Sequence, residues 1–206
     1  MASDLRLRDD VAVTPIVVDV AGCDAGLAEF LDSAKAALDS IDAVLITAGA
    51  IAAADEGTND WSTTSMLVDT NMVGVMKLAG KAIAVMEVAG RGTVVLFSSI
   101  TVAAPRDRNV AYAAAKAGLE SYGRSMRYRL AGTPVSIQVY VLGYVDTAMT
   151  RDQKLRLPPA DPAKVARRVI SDLESGSKFV YEPHYWGVIV RVLRALPWPV
   201  YRRLKF

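Results

Sequence analysis

Ser99, Tyr112 and Lys116 are the residues of this 206-residue chain whose types and spacing best suit chemistry. Tyr112 and Lys116 lie four apart in the alanine-rich run Tyr112-Ala113-Ala114-Ala115-Lys116, which reads as helix from 111 to about 130. At that spacing two side chains stand one above the other on a single helical face. Ser99 closes the apolar run Thr93-Val94-Val95-Leu96-Phe97-Ser98, which reads as a buried parallel strand. A hydroxyl at a strand end and a phenol and an ammonium on the next helix can converge on one point, as a proton-transfer site requires. A free phenol, with a pKa near ~10, exchanges protons poorly at neutral pH, and a cation held beside it favours the phenolate. The serine hydroxyl can donate to an oxygen on which negative charge develops.

The elements that must position these groups alternate strand and helix, the pattern of an α/β domain built on a parallel sheet. Residues 11–20 read as a strand and 24–40 as an amphipathic helix, with Leu27, Phe30, Leu31, Ala34 and Leu38 inward. Residues 43–47 form a short strand ended by Ala48-Gly49-Ala50, and a long helical stretch covers about 65–89. Strands follow at 93–98, 135–142 and 178–181. Asp161-Pro162 announces a helix over 161–175, with aspartate at the cap and proline in the first turn. There is no internal repeat, low-complexity segment or interdomain linker, so residues 1–206 read as one domain.

Composition narrows the class. About half the residues are apolar and 22% are charged, ordinary for a globular domain. Cys23 is the only cysteine, so no internal disulfide can form and nothing points to an oxidising compartment. The start is charged rather than apolar, and no stretch reaches the ~18 uninterrupted apolar residues of a membrane span. The expectation is therefore a cytoplasmic protein. The formal net charge is +2, yet the chain from Trp186 onward holds five basic residues and no acid. A nucleic-acid surface would spread over the domain; basic charge confined to an apolar C-terminus argues against nucleic acid.

With these residues in view, the chain resembles the short-chain dehydrogenase/reductase family over nearly its whole length. The matches run in the family's order. Asp19-Val20 stands where the family places an aspartate near the adenine ring, and Thr47-Ala48-Gly49 is similar to its Asn-Ala-Gly turn. Asn71 matches the asparagine of the long helix. Ser99, Tyr112 and Lys116 match the catalytic trio, with the thirteen-residue step from serine to tyrosine. Leu142-Gly143-Tyr144-Val145-Asp146-Thr147 resembles the Pro-Gly-x-Val-x-Thr loop that holds the nicotinamide.

The resemblance implies a Rossmann-like, doubly wound parallel sheet and an NAD- or NADP-dependent oxidoreductase that reduces carbonyls or oxidises alcohols by hydride transfer. It implies catalytic roles for Asn71, Ser99, Tyr112 and Lys116, with Asn71 relaying a proton from Lys116 to solvent through a water. It implies cofactor contacts at Asp19, Val20, Thr47, Ala48, Gly49, Tyr112, Lys116, Gly143, Val145 and Thr147. No metal is expected, and a homo-oligomer is. A looser resemblance, carried by Pro183-His184-Tyr185-Trp186 and the closing Arg202-Arg203-Leu204-Lys205, points to reductases of polyprenyl-phosphate-linked keto-pentoses. The substrate would then be a small-molecule or lipid-linked carbonyl or alcohol.

Two departures accompany the matches. Leu142 replaces the family's usual proline, which loosens the loop and removes no functional group. The larger one is that the family's opening strand, glycine-rich turn and helix, with the strand and helix after them, have no counterpart. That unit is on the order of 50 residues. Gly90 and Gly92 cannot substitute, because they precede a strand and a dinucleotide turn follows one. Residues 4–8 read as the end of the second helix and 11–19 as the third strand. In the order 3-2-1-4-5-6 that strand is left without a neighbour and one sheet face is left largely bare. The chain therefore reads as the product of a start placed too far downstream or as a relic of a longer reductase, with weak or absent dinucleotide binding. The alternative to an enzyme is an inactive remnant or non-enzymatic interaction protein.

The remaining features have plain readings. Cys23 has no flanking histidine or lysine and reads as an inert thiol. His184 is the only histidine, which excludes a histidine triad or a two-histidine metal site, and it reads as a loop residue. Asp9-Asp10 is a solvated pair. The stretch 185–206 interleaves Trp186, Ile189, Val190, Leu193, Leu196 and Trp198 with arginines. Either it covers the substrate pocket or a dimer interface with its arginines turned outward, or it makes peripheral contact at the inner membrane face.

Overall fold

The computed structural model describes residues 11–22, 24–52, 55, 61–103, 108–150 and 155–204. Helix α1 (Asp24–Ala37) precedes strand β1 (Ala43–Ile46), and helices α2 (Trp61–Val68) and α3 (Gly74–Ala89) flank a π-helical turn at Asp69–Val73. Strand β2 (Gly92–Ser99), helix α4 (Val110–Arg129), strand β3 (Val135–Leu142), helix α5 (Pro162–Ser171) and strand β4 (Lys178–Glu182) follow. Helices α6 (Trp186–Ala195) and α7 (Trp198–Tyr201) come last. The four strands lie in the order β1-β2-β3-β4, all parallel, which requires the helical crossovers between them.

Helices pack on both faces, giving the Rossmann-like α/β layering. Val94, Leu96, Ile137 and Val139 face Leu78, Ala82, Ile83 and Met86 of α3 and Leu119 of α4. Val95 and Tyr140 face Val169 of α5. A buried polar seam ties the end of α5 to β3: Gln138 Nε2 donates to the carbonyls of Asp172 and Gly176 at 2.6 and 3.1 Å, and the Tyr140 hydroxyl donates to Asp172 Oδ2 at 3.0 Å. Asp161 caps α5 as its sequence predicts, Oδ1 accepting the Ala163 N–H at 2.8 Å.

Three expectations need correction. Residues 11–19 lie in no strand, and Val17 is fully exposed. A β-strand needs a partner, and among the described residues β1 pairs with β2 alone. Val20 instead lies over the start of α3, its carbonyl so close to Gly74 that any Cβ there would collide with it. The first helix ends at Ala37, leaving Leu38 half exposed. The stretch read as one helix over 65–89 begins at Trp61 and is interrupted by the π turn. The bare-face expectation has a counterpart in Leu45, which pairs in register with buried Val95 and remains 37% exposed. Residues 4–8, Asp9, Asp10 and Cys23 lie outside the described residues.

Candidate active site

The C-terminal ends of parallel strands are where α/β sheets build their sites. Here the ends of β1, β2 and β3 and the start of α4 enclose a cavity of about 380 Å³. Thr47, Ala48 and Gly49 line it after β1, Ser99 after β2, Tyr112 and Lys116 from α4, and Gly143, Val145 and Thr147 after β3. Nine residues singled out in the sequence thus share one space. Asn71 stands behind it, fully buried, and Asp19 and Val20 are not among the lining residues. Asp19 Oδ1 accepts the Ala21 N–H at 3.0 Å, closing its own turn.

The consecutive serines part company because strand side chains alternate. Ser99 opens on the cavity, its Oγ accepting the Thr101 N–H at 3.3 Å. Ser98 Oγ donates to Glu120 Oε1 at 3.0 Å in the interior. Lys116 is 5% exposed and donates from Nζ to the Phe97 carbonyl at 3.0 Å, with Nζ 5.8 Å from the Tyr112 ring centroid. Burial lowers its pKa to about 8. Its charge is held in a poorly solvated place beside the phenol.

Asn71 sits in the π turn, where an added residue re-aims the helix. Its Nδ2 donates to the carbonyls of Ala50 and Leu67, both at 2.9 Å, and its Oδ1 accepts the Ala50 N–H at 3.1 Å. The amide therefore clamps the turn after β1 to the helix. A Cβ at Gly49 would lie 3.1 Å from Asn71 Oδ1 and 3.7 Å from Lys116 Nζ, so glycine lets that turn close over both. Gly143 meets the face of Trp186, whose indole occupies the space of any added Cβ. The loop beyond it is folded by Thr150, whose Oγ1 donates to the Val145 carbonyl at 2.5 Å and accepts the Thr147 N–H at 3.1 Å.

Two buried acids escaped the sequence reading. Asp55, 3% exposed, accepts the backbone N–H groups of Ala111 and Tyr112 on its two carboxylate oxygens, both at 2.9 Å. Its partner lies 57 residues downstream, so no local signal marked it. Glu120 completes the face begun by Tyr112 and Lys116, at spacings of four, and that periodicity was legible. Burial raises its pKa, opposed by the Ser98 hydrogen bond and by the charges of Arg124 and Arg194.

Among the described residues no group of three histidines, cysteines or acids is placed to hold a metal, and no helix is long and apolar enough to cross a membrane. Glycine backbone at Gly49 and Gly143 and the Lys116 ammonium are the groups in this cavity that could hold a cofactor.

The sequence pattern of the short chain dehydrogenases matches residues 2–157. An uncharacterized oxidoreductase of Mycobacterium tuberculosis is 32% identical over 138 residues, 67% of this chain and 55% of that protein. The ketoacyl reductase HetN of a Nostoc species is 32% identical over 114 residues, 53% of this chain and 40% of its own. The chain spans about half the length of the curated relatives it matches. A solved structure described as a short-chain dehydrogenase/reductase from Burkholderia xenovorans superposes with a TM-score of 0.71 over 82% of this chain and 73% of that one, at 24% identity, a likeness of fold.

Proposed function

Because the chain belongs to the short-chain dehydrogenase family of oxidoreductases, we propose that it interconverts a carbonyl and a secondary alcohol with NAD or NADP through Ser99, Tyr112 and Lys116. The observation that carries the reading is the convergence of these three side chains on one cavity with Thr47–Gly49 and Gly143–Thr147. The presence of nine of the residues singled out in the sequence in one space speaks against an inert remnant.

Bound against Gly49 and Gly143, the dinucleotide would supply the hydride. The chain's own residues do the rest. Ser99 Oγ donates to the substrate oxygen and orients it as charge builds there. Tyr112 gives that oxygen its proton in reduction and takes it back in oxidation. Lys116, cationic below about pH 8, favours the phenolate form and offers N–H groups toward ribose hydroxyls. Asn71 keeps the Gly49 turn against Lys116. The apolar lining from Ile51, Ile100, Tyr144 and Met149 suits a substrate with hydrocarbon next to its carbonyl, whether a small molecule or a lipid-linked one.

The test is a fluorescence titration of NADH and NADPH against the purified chain, joined to turnover of a panel of ketones and secondary alcohols. Cofactor-dependent turnover supports the reading; no saturable binding of either cofactor, or saturation with no turnover of any carbonyl or alcohol, contradicts it.

A further inference from the structure

We propose that the outer face of α6, with the chain beyond it, docks on an anionic lipid surface. The inner face of α6 is accounted for: Trp186, Val190 and Leu193 are buried. The outer face of a surface helix is normally polar. Here it presents Val188 and Val192, one turn apart and 60% and 56% exposed. Beyond it Trp198 is 66% exposed, stacked on Tyr201 at 6.1 Å between centroids. The helix is apolar on both sides, and solvent covers only one of them.

Charge says what kind of surface fits. Arg191, next to Val192 in sequence, and Arg202 and Arg203, just after Trp198–Tyr201, are exposed, and no acid occurs from Trp186 to the end of the chain. Other exposed apolar groups have acids near them in sequence: beside Val88 and Tyr128, Glu87 and Arg129 pair at 3.1 Å, and beside Ile170, Arg168 pairs with Asp172 at 3.0 Å. A nucleic acid would use the arginines and leave the valines in water. A second copy would cover the valines but bring two sets of arginines together, at an electrostatic cost. A bilayer with anionic headgroups takes both: valine and tryptophan enter the boundary between headgroups and acyl chains, and guanidinium groups meet lipid phosphates. Trp186, on the other side of the helix, abuts Gly143, so α6 would stand between the lipid surface and the cavity. The proposal rests on exposure and charge and does not depend on hydride chemistry.

Density-gradient flotation of the full chain tests it, with phosphatidylcholine vesicles in one arm and phosphatidylcholine–phosphatidylglycerol vesicles in the other. Flotation is expected only in the second arm, weakened by added salt. Val188→Asp with Val192→Asp, at positions already in solvent, should abolish it. Arg191→Gln, Arg202→Gln and Arg203→Gln together should reduce binding, by about fivefold for each arginine. Absence from the lipid fraction, flotation indifferent to both variants, or retention by nucleic acid in place of lipid overturns the proposal. So does a dimer in size-exclusion chromatography that Val188→Asp dissociates, which would make a second copy the occupant.

Discussion

Asp55 holds Tyr112 by its backbone: the carboxylate that follows the Gly49 turn accepts the tyrosine's N–H at 2.9 Å and that of Ala111 at the same distance. The first N–H groups of a helix have no partner within it, and a carboxylate there also meets the positive end of the helix dipole. One side chain thus connects the turn after β1 to the helix that carries the phenol and the ammonium. Asp55→Ala leaves two buried donors unmet and should lower stability by about 2–4 kcal/mol, read from the urea midpoint. Asp55→Asn, which can accept only one of the two, should fall between that variant and the native chain.

The Asn71 amide gives a prediction with a sign. Its two N–H groups face two carbonyls, those of Ala50 and Leu67. Asn71→Asp sets carboxylate oxygens against those carbonyls in a fully buried place, whereas Asn71→Ala leaves them unpaired. Aspartate should therefore be the worse replacement at neutral pH, and the gap should narrow as the buried acid is protonated. Thermal melts of the two variants across the acid range give the ranking.

Lys116 predicts a rise of stability with pH. Its folded pKa is lowered to about 8, below the unfolded value near ~10.4. Below pH 8 both states are charged and the burial penalty is present in full. Between the two values the unfolded chain holds a proton that the folded chain does not, so stability rises, by at most about 3 kcal/mol. Urea midpoints of the native chain and of Lys116→Met, compared from pH 7 to 10, isolate this slope. It should be missing in the variant.

Gly143 is required by a neighbour rather than by its own backbone angles. Gly143→Ala must push the Trp186 indole aside in a filled cluster with Ile100 and Val141, at a cost of about 1–3 kcal/mol. A change in tryptophan emission and a lower Tm should appear together. An unchanged emission maximum would mean that the indole does not lie where the structure has it.

The residues that line the candidate site and the strands that bring them together are readable in sequence because their signals are local. Tyr112 and Lys116 share a helical face at a spacing of four, and Ser99 ends an apolar run. What escaped depends on distant parts of the chain. The 11–19 run has strand composition, but strand formation needs a partner edge, which composition does not encode. Asp55 acts on backbone far along the chain, and Asn71 in the π turn at Asp69–Val73 bonds the Ala50 backbone 21 residues away. Glycine is required at position 74 because the Val20 carbonyl lies against that helical backbone, a contact no periodicity reveals.

The proton-transfer role proposed for Tyr112 is tested most directly by steady-state turnover of the native chain and Tyr112→Phe, side by side, at saturating cofactor. Phenylalanine keeps the ring and removes only the O–H. A loss of kcat of at least about a hundredfold is expected, with cofactor affinity unchanged. Equal turnover in the two proteins would contradict it.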